Sequence, residues 1–205
     1  MRDASPAPNP TLLALRTQID RVDRELLALL NQRAALALDV GELKRREGSV
    51  AFRPEREAQV IDGLKAANPG PLATDSVAPI WREIMSACRA LETPSRVAYL
   101  GPAGTFSEEA ALSFFGSSIV KVPCANFDEV FRATSAGAAD FGVIPVENST
   151  EGVVARSLDL FLTTPLFIIG ETSLFVQHNL LRRENSLEGI TAVCAHPQAL
   201  AQCHG

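Results

Sequence analysis

Three positively charged side chains lie on or beside an apolar stripe near the start of the sequence, where they could bind an anion. Apolar residues recur at alternating steps of three and four from Leu12 to Leu43, which predicts one long helix. Arg33 occupies a position within this stripe, and Arg16 and Lys44 flank it. Because a buried cation costs free energy unless an anion meets it, the pattern favours a helical core around an anionic small molecule.

The spacing of these cations limits which of them can share a ligand. The rise of an α-helix places Arg16 and Lys44 about 42 Å apart, and Arg33 and Lys44 about 16 Å apart. Arg16 can therefore join the other two only from a second, antiparallel copy, which predicts a homodimer through the long N-terminal helix with two equivalent sites. The alternative is that Arg33 and Lys44 extend from the edge of the stripe into solvent. Charged residues expected on two later helices complete the set of candidates: Arg56, Glu57 and Glu92.

Three helices are expected to position these side chains. The first covers residues 10–46, after an Asn-Pro pair that is typical of a helix start and before Gly48, which is typical of a helix end. The second covers residues 54–67, before a cluster of prolines and glycine, and the third covers residues 74–92. The first part of the chain is thus predicted to be entirely helical.

The pattern changes after residue 95 to alternating strands and helices. The expected strands cover residues 97–100, 119–122, 141–146, 167–176 and 190–195. Helices are expected between them at residues 107–115 and 127–136. This alternation indicates an α/β domain with a mostly parallel sheet.

Polar residues follow several of these strands, at the sheet edge where α/β folds bind ligands. The glycine loop at residues 101–104 leads into a helix N-terminus, a natural site for a carboxylate, although such a loop is equally typical of a tight turn. Residues 147–149 and His196 follow two later strands in the same way.

The composition excludes several classes of function. The 205 residues suffice for about two domains, and 46% hydrophobic with 21% charged residues is ordinary globular composition. A net charge of -5 without a basic cluster argues against nucleic-acid binding. The sequence has no apolar stretch long enough for a membrane span and no signal peptide at residues 1–10, so we expect a cytoplasmic protein. The four cysteines form no CxxC pair and no ligand-spaced set with the three histidines, so no metal site is predicted.

Several motifs resemble known families. The helical half resembles the all-helical chorismate mutase domain at Leu12-Leu-Ala-Leu-Arg16, Ala-Leu-Leu-Asn-Gln-Arg33, Val40-Gly-Glu-Leu-Lys44 and Arg53-Pro-Glu-Arg-Glu57. The α/β half resembles prephenate dehydratase at Val97-Ala-Tyr-Leu-Gly-Pro-Ala-Gly-Thr-Phe-Ser107, Ile144-Pro-Val-Glu-Asn-Ser149 and His196-Pro-Gln-Ala-Leu200. In this order the two resemble the bifunctional chorismate mutase–prephenate dehydratases of phenylalanine biosynthesis.

The resemblance implies a multidomain α and α/β chain. A flexible N-terminus (residues 1–10) precedes an all-helical mutase domain (residues 11–93) that forms an intertwined dimer. A dehydratase domain (residues 96–205) follows, with the two-lobed fold of periplasmic binding proteins and a second lobe that is largely missing. The implied ligands are chorismate and prephenate, with no cofactor.

For the mutase, the resemblance implies catalytic roles for five residues: Arg16, Arg33, Lys44, Glu57 and Glu92. Chorismate-binding roles are implied for Arg53, Arg56 and Cys88. Arg53 stands where some members of the family carry Asp, so only its backbone is assigned a role. Glu92 stands where some carry Gln, and a carboxyl group can donate to the ether oxygen of chorismate only when it is protonated. We therefore predict an activity profile shifted toward acid pH.

For the dehydratase, the resemblance implies that prephenate contacts five residues: Thr105, Ser107, Asn148, Ser149 and His196. The family's proton donor is a threonine in a Thr-Arg-Phe triplet, which does not occur in these 205 residues. The regulatory phenylalanine-binding domain of the family has no counterpart in them either. We therefore expect little or no dehydratase activity from this sequence.

Two other functions remain open at this stage. The chain could be a mutase that acts alone with a residual appendage. It could also be a non-catalytic dimeric module in which the second half binds an aromatic precursor. The presence of the cations on the helices favours an enzyme over a module.

Overall fold

The computed structural model describes residues 9–48, 52–149, 152–195, 199–200 and 203. The chain divides into two compact units, Met1–Pro94 and Ser95–Gly205. Unit 1 is helical in its described part, whereas unit 2 contains both strands and helices.

The described residues of unit 1 form three helices, α1 (Pro10–Glu47), α2 (Pro54–Ala67) and α3 (Thr74–Ala90). The Asn9 side chain accepts a hydrogen bond of 2.9 Å from the backbone N–H of Thr11 at the start of α1. Gly48 ends the helix in the left-handed conformation at φ 65°, which glycine adopts without strain. The expected bounds of α1 and α2 are confirmed to within one residue, while α3 ends two residues before Glu92.

Burial in unit 1 is concentrated where α2 and α3 pack together. The buried apolar residues there are Phe52, Ile61, Val77, Met85 and Cys88. The apolar stripe of α1 remains open, because its eight members from position 15 to position 43 are each 50–62% exposed: Leu15, Ile19, Val22, Leu26, Leu29, Leu36, Val40 and Leu43. One copy of the chain therefore leaves the longest apolar surface of its first unit uncovered.

Unit 2 begins with a parallel sheet flanked by helices. The elements in chain order are β1 (Arg96–Leu100), α4 (Phe106–Phe115), β2 (Val120–Cys124), α5 (Phe127–Ser135) and β3 (Phe141–Val143). The sheet order is β2-β1-β3, with both pairs parallel, so the predicted parallel α/β arrangement is confirmed. Val97, Ala98 and Tyr99 of the central strand are buried, as expected for a strand covered on both faces.

A short antiparallel pair and another helix follow this sheet. Strands β4 (Glu147–Asn148) and β5 (Gly152–Val153) pair with each other, and α6 (Ala155–Thr163) comes next. The sequence had not predicted α6 as a helix. Its Ser157 is buried and donates a hydrogen bond of 2.7 Å to the carbonyl of Pro145.

Three of the predicted strands are wrong in whole or in part. Residues 167–176 and 190–195 are not strands, because apolar composition alone supplies no partner strand for their backbone. Phe167 and Phe175 are 90% and 86% exposed, which removes the burial that the prediction had assumed. The strand expected over residues 141–146 ends at Val143, two residues before Pro145, which has no N–H for a strand ladder.

Candidate functional site

The three predicted cations of α1 lie on one helix, as the sequence required. Arg33 and Lys44 are half-buried, whereas Arg16 is exposed near the other end. The helix is continuous over Pro10–Glu47, so the distances inferred from its rise apply and Arg16 is far from Lys44 within one copy. The structure therefore places two of the cations in one region of unit 1 and leaves the third outside it.

Glu92 reaches α1 from the turn that follows α3. Its backbone N–H donates a hydrogen bond of 3.0 Å to the carbonyl of Arg89, which continues the last helical turn. Its carboxylate lies directly against Gly41, at the position that a side chain there would occupy. Gly41 and Lys44 are three residues apart and share a face of α1. Glu92 and Lys44 are thereby brought to the same stretch of the long helix.

Glu57 is held by a residue that the sequence analysis had not selected. The guanidinium of Arg89 on α3 donates a hydrogen bond to the Glu57 carboxylate on α2. Arg89 also lies over the ring of Phe52, 4.6 Å from its centre, a cation–π contact. No local sequence signal marks Arg89, because its partners Glu57 and Phe52 belong to another segment of the chain.

The three remaining candidates of unit 1 differ in exposure. Arg53 precedes the first residue of α2 with an extended backbone, and its side chain is exposed. Arg56 is exposed on the first turn of the same helix. Cys88 is buried on α3, so its thiol packs within the unit. Arg53 and Arg56 thus lie at the start of α2, and Cys88 lies near the end of α3.

In unit 2, side-chain hydrogen bonds hold the loop that follows the central strand β1. The Thr105 hydroxyl donates a hydrogen bond of 2.9 Å to the Leu100 carbonyl and accepts one of 3.4 Å from the N–H of Glu108. Thr105 therefore caps α4 in this structure, and Ser107 follows half-buried in the first turn. The loop at residues 101–107 is a strand-to-helix turn, with the N-terminus of α4 at its end.

The buried carboxylate of Glu108 stabilises this loop through hydrogen bonds. It accepts hydrogen bonds from the Gly104 N–H, from the Lys121 ammonium at 2.8 Å and from the Tyr99 hydroxyl. These contacts, that of Gly104 above all, hold the pKa of the Glu108 carboxyl below its ordinary value. Burial, with the nearby charge of Glu108, raises the pKa of Tyr99. Glu108 was not among the residues selected from the sequence, although a Glu three residues after Thr105 matches the spacing of a helix capping box.

The other dehydratase candidates follow the neighbouring strand β3. Asn148 lies in β4 opposite Gly152, and Ser149 is exposed in the turn after it. Because β1 and β3 are adjacent and parallel, the segments that follow them leave the sheet at the same edge. His196 lies outside the described residues. Within the part of the chain that the structure describes, no cluster of His, Cys, Asp or Glu side chains could hold a metal ion.

Comparison with known families accounts for both units. Residues 97–205 match the family described as prephenate dehydratase, which is more than half of the chain. The chain belongs to the prephenate dehydratase family. Residues 15–93 match a second family, chorismate mutase type II, so the prephenate dehydratase part is preceded by a chorismate mutase domain. The resemblance that the sequence motifs indicated is confirmed for both halves.

The curated relatives of this prephenate dehydratase family member combine the same two domains. Proteins named bifunctional chorismate mutase/prephenate dehydratase are 49% identical in Pseudomonas aeruginosa and 42% identical in Aquifex aeolicus, each over 94% of this chain and 54% of the relative. The chain thus spans about half the length of the curated relatives it matches. A chorismate mutase structure from Thermus thermophilus is 36% identical, covering 40% of this chain and 93% of its own, with a TM-score of 0.39. No helix in the described ranges is long and apolar enough to cross a membrane.

Proposed function

We propose that unit 1 converts chorismate to prephenate. The observation that carries this proposal is the exposed apolar stripe of α1, which presents cations at Arg16, Arg33 and Lys44. The reaction is an intramolecular rearrangement in which the ether C–O bond breaks as a C–C bond forms, so it needs no cofactor. The enzyme must hold a dicarboxylate in a compact conformation and stabilise the negative charge that develops on the ether oxygen.

Arginine and lysine suit these two tasks differently. The guanidiniums of Arg33 and the partner's Arg16 bind the two carboxylates, because planar guanidinium matches a carboxylate in two parallel hydrogen bonds. Lys44 bridges a carboxylate and the ether oxygen, and Glu92 donates to the same oxygen when its carboxyl is protonated. The position of the Glu92 carboxylate supports these two roles, because it contacts α1 at Gly41, one helical turn from Lys44.

The remaining residues surround the ring of the substrate. Glu57 accepts a hydrogen bond from the ring hydroxyl, and its ion pair with Arg89 supports this role by orienting the carboxylate. Cys88 lies at the end of α3, two residues after the fully buried Ser86, and contributes to the wall of the pocket. Arg56 lines the site, and Arg53 contributes backbone at the start of α2.

The site requires a second copy of the chain. The eight apolar residues of the stripe are each at least half exposed in one copy, and a soluble monomer rarely exposes so long an apolar surface. An antiparallel partner helix covers this stripe and brings its Arg16 beside Arg33 and Lys44. The long helix is therefore both the dimer interface and one wall of each site.

Unit 2 forms part of a prephenate-binding cleft in the dehydratase step of phenylalanine biosynthesis. The support is the shared sheet edge at which the segments containing Thr105, Ser107, Asn148 and Ser149 leave β1 and β3. His196 is assigned to the same cleft by its motif alone. We propose a cytoplasmic location, in keeping with the two metabolic enzyme activities that the relatives' names give.

The test of the proposed function is the loss of chorismate absorbance with the 205-residue polypeptide. We expect turnover to prephenate, a loss of about 10²-fold or more in Arg33→Ala, and no loss in Arg24→Ala, which removes a guanidinium on α1 away from the stripe. Absence of turnover by the parent chain would favour the non-catalytic module. Phenylpyruvate formed from prephenate would contradict the expectation drawn from the missing Thr-Arg-Phe triplet.

A further inference from the structure

Gly41 is an unusual residue for its place in the fold. Among the residues of α1, all of which the structure describes, Gly41 alone is buried. It lies in the interior of the helix with an ordinary helical backbone, because it is not among the glycines with positive φ. Glycine in a helix interior weakens the helix relative to alanine, so the backbone conformation gives no reason for it.

The space beside Gly41 is filled by the end of the Glu92 side chain. A methyl group built on Gly41 would overlap the carboxyl carbon and both carboxylate oxygens of Glu92. By contrast, a methyl group on Gly63, in the interior of α2, would meet nothing within 4 Å. Gly41 is therefore buried with a carboxylate in the place of its side chain, whereas Gly63 is exposed with that space empty.

We propose that Gly41 is a positioning residue, which admits the Glu92 carboxylate onto α1 so that it faces the substrate together with Lys44. This inference rests on the proposed mutase function of unit 1. Gly41 and Lys44 share a face of α1, one helical turn apart. A carboxylate seated on Gly41 therefore lies beside the stretch of helix from which Lys44 projects. A larger residue at position 41 would move the carboxylate away from this stretch.

The expected consequence is a loss of activity without a loss of stability. The atoms that a methyl group would meet are at the end of a flexible side chain, so the fold can accommodate alanine by moving Glu92 alone. Alanine also favours the helix more than glycine does. A residue whose role is only to allow close packing of backbones would behave differently, because its substitution would separate the helices.

The first experiment compares Gly41→Ala with Gly63→Ala in the full chain. For Gly41→Ala we expect kcat for chorismate to fall by about 10²-fold, since small displacements of a catalytic group have effects of that size. We expect KM to change by less than about threefold, since the arginines that bind the carboxylates are untouched. The unfolding midpoint should be equal to or above that of the parent. Gly63→Ala should leave both kinetic constants unchanged.

The second experiment repeats Gly41→Ala in a Glu92→Ala background. If Gly41 acts through Glu92, the substitution should change kcat by less than about twofold once the carboxylate has been removed. An equal loss in both backgrounds overturns the proposal, because Gly41 would then act by another route. A Gly41→Ala variant with the kcat of the parent overturns it as well.

A measurement that does not depend on turnover separates this inference from the proposed function. The carboxyl-carbon NMR signal of Glu92, assigned from its loss in Glu92→Gln, should shift in Gly41→Ala and stay in place in Gly63→Ala. A signal that stays in place in Gly41→Ala overturns the positioning role whatever the activity. A parent chain that leaves chorismate unchanged overturns the mutase function, even if the signal shows that Gly41 admits Glu92.

Discussion

The Arg89 guanidinium on α3 is paired with the Glu57 carboxylate on α2, and the pair is largely withdrawn from water. The two side chains are 15% and 18% exposed, and the guanidinium also lies over the ring of Phe52. Charged groups in such surroundings are strongly disfavoured when one partner is removed. The pair therefore joins the two helices and fixes the direction of the Glu57 carboxylate.

Replacing Arg89 by alanine should destabilise unit 1 and weaken the binding of chorismate. The free energy of unfolding should fall by about 2–3 kcal/mol, slightly below the cost of breaking a fully buried pair, because Glu57 loses its partner and keeps some contact with water. KM for chorismate should rise because Glu57 is no longer oriented. The single tryptophan, Trp81, lies on α3, so its fluorescence in a urea titration reports the unfolding of unit 1.

The control for this variant is Arg21→Ala. Arg21 and Glu25 form an exposed ion pair of 3.7 Å on α1, with side chains 71% and 66% exposed. Exposed pairs of this kind contribute less than about 1 kcal/mol, so the unfolding curve should move little. Equal losses of stability in the two variants would contradict the role given to the Glu57–Arg89 pair.

Replacing Glu92 by glutamine should change the pH dependence of the proposed mutase activity. An amide donates a hydrogen bond at every pH, whereas a carboxyl group donates only when protonated. The parent should therefore lose activity as pH rises, and Glu92→Gln should give a flatter profile with relatively more activity at neutral pH. The measurement is kcat between about pH 4 and pH 8, taken at intervals of about 0.5 pH units. Glu55→Gln, which changes an exposed carboxylate on α2, is the control, and identical profiles for the parent and Glu92→Gln would contradict the donor role.

Replacing Glu108 by glutamine should alter the acid stability of unit 2. The Gly104 N–H and Lys121 hold the pKa of the Glu108 carboxyl below its ordinary value of 4.5 in the folded state. The stability that this group contributes is therefore present above pH 4.5 and is lost as the pH falls through the lowered pKa. Glu108→Gln should be less stable than the parent at neutral pH, and its stability should fall less steeply in acid.

The ring signals of Tyr99, the only tyrosine, allow this unfolding to be followed by NMR within unit 2. Glu109→Gln is the matched control, because Glu109 is the next residue on α4 and is exposed. Its acid unfolding should coincide with that of the parent. Coincident curves for Glu108→Gln and the parent would mean that the carboxylate does not brace the loop.

The parts of the fold that the sequence predicted well are those fixed by local signals. Asn9 and Gly48 carry the capping chemistry of α1, and the helix begins and ends beside them. Strands and helices alternate along this part of the sequence. That alternation by itself predicts that the strands are parallel, so no knowledge of distant contacts is needed. Residues 167–176 and 190–195 lacked this support, because an apolar segment becomes a strand only when another strand pairs with it.

The residues of the candidate site also fall into two groups, those marked by a local sequence signal and those that depend on contacts between elements. Arg33 and Lys44 could be selected because a cation within or beside an apolar stripe is visible in the sequence. Arg89 and Gly41 could not, because their importance lies in what they contact: Glu57 on another helix and Glu92 after a third. Contacts between elements follow from packing, which no single segment of sequence encodes.

The proposed sharing of each site between two chains predicts that two inactive variants restore activity when they are mixed. In the proposed dimer, Arg16→Ala and Lys44→Ala damage opposite sides of each site, because Arg16 comes from the partner. A mixed dimer therefore contains one site with both residues intact and one site with neither. After random exchange of subunits, half of the dimers are mixed and half of their sites are complete, so about a quarter of the parent kcat should return.

The measurement is chorismate turnover after the two variants are unfolded together and refolded, with each variant refolded alone for comparison. Arg33→Ala mixed with Lys44→Ala is the control, because both residues are contributed to a site by the same copy of α1. In that mixture every site lacks either Arg33 or Lys44, whichever two chains form the dimer, so no activity should return. Activity that stays at the level of the separate variants in the Arg16→Ala and Lys44→Ala mixture would show that each site is built from one chain.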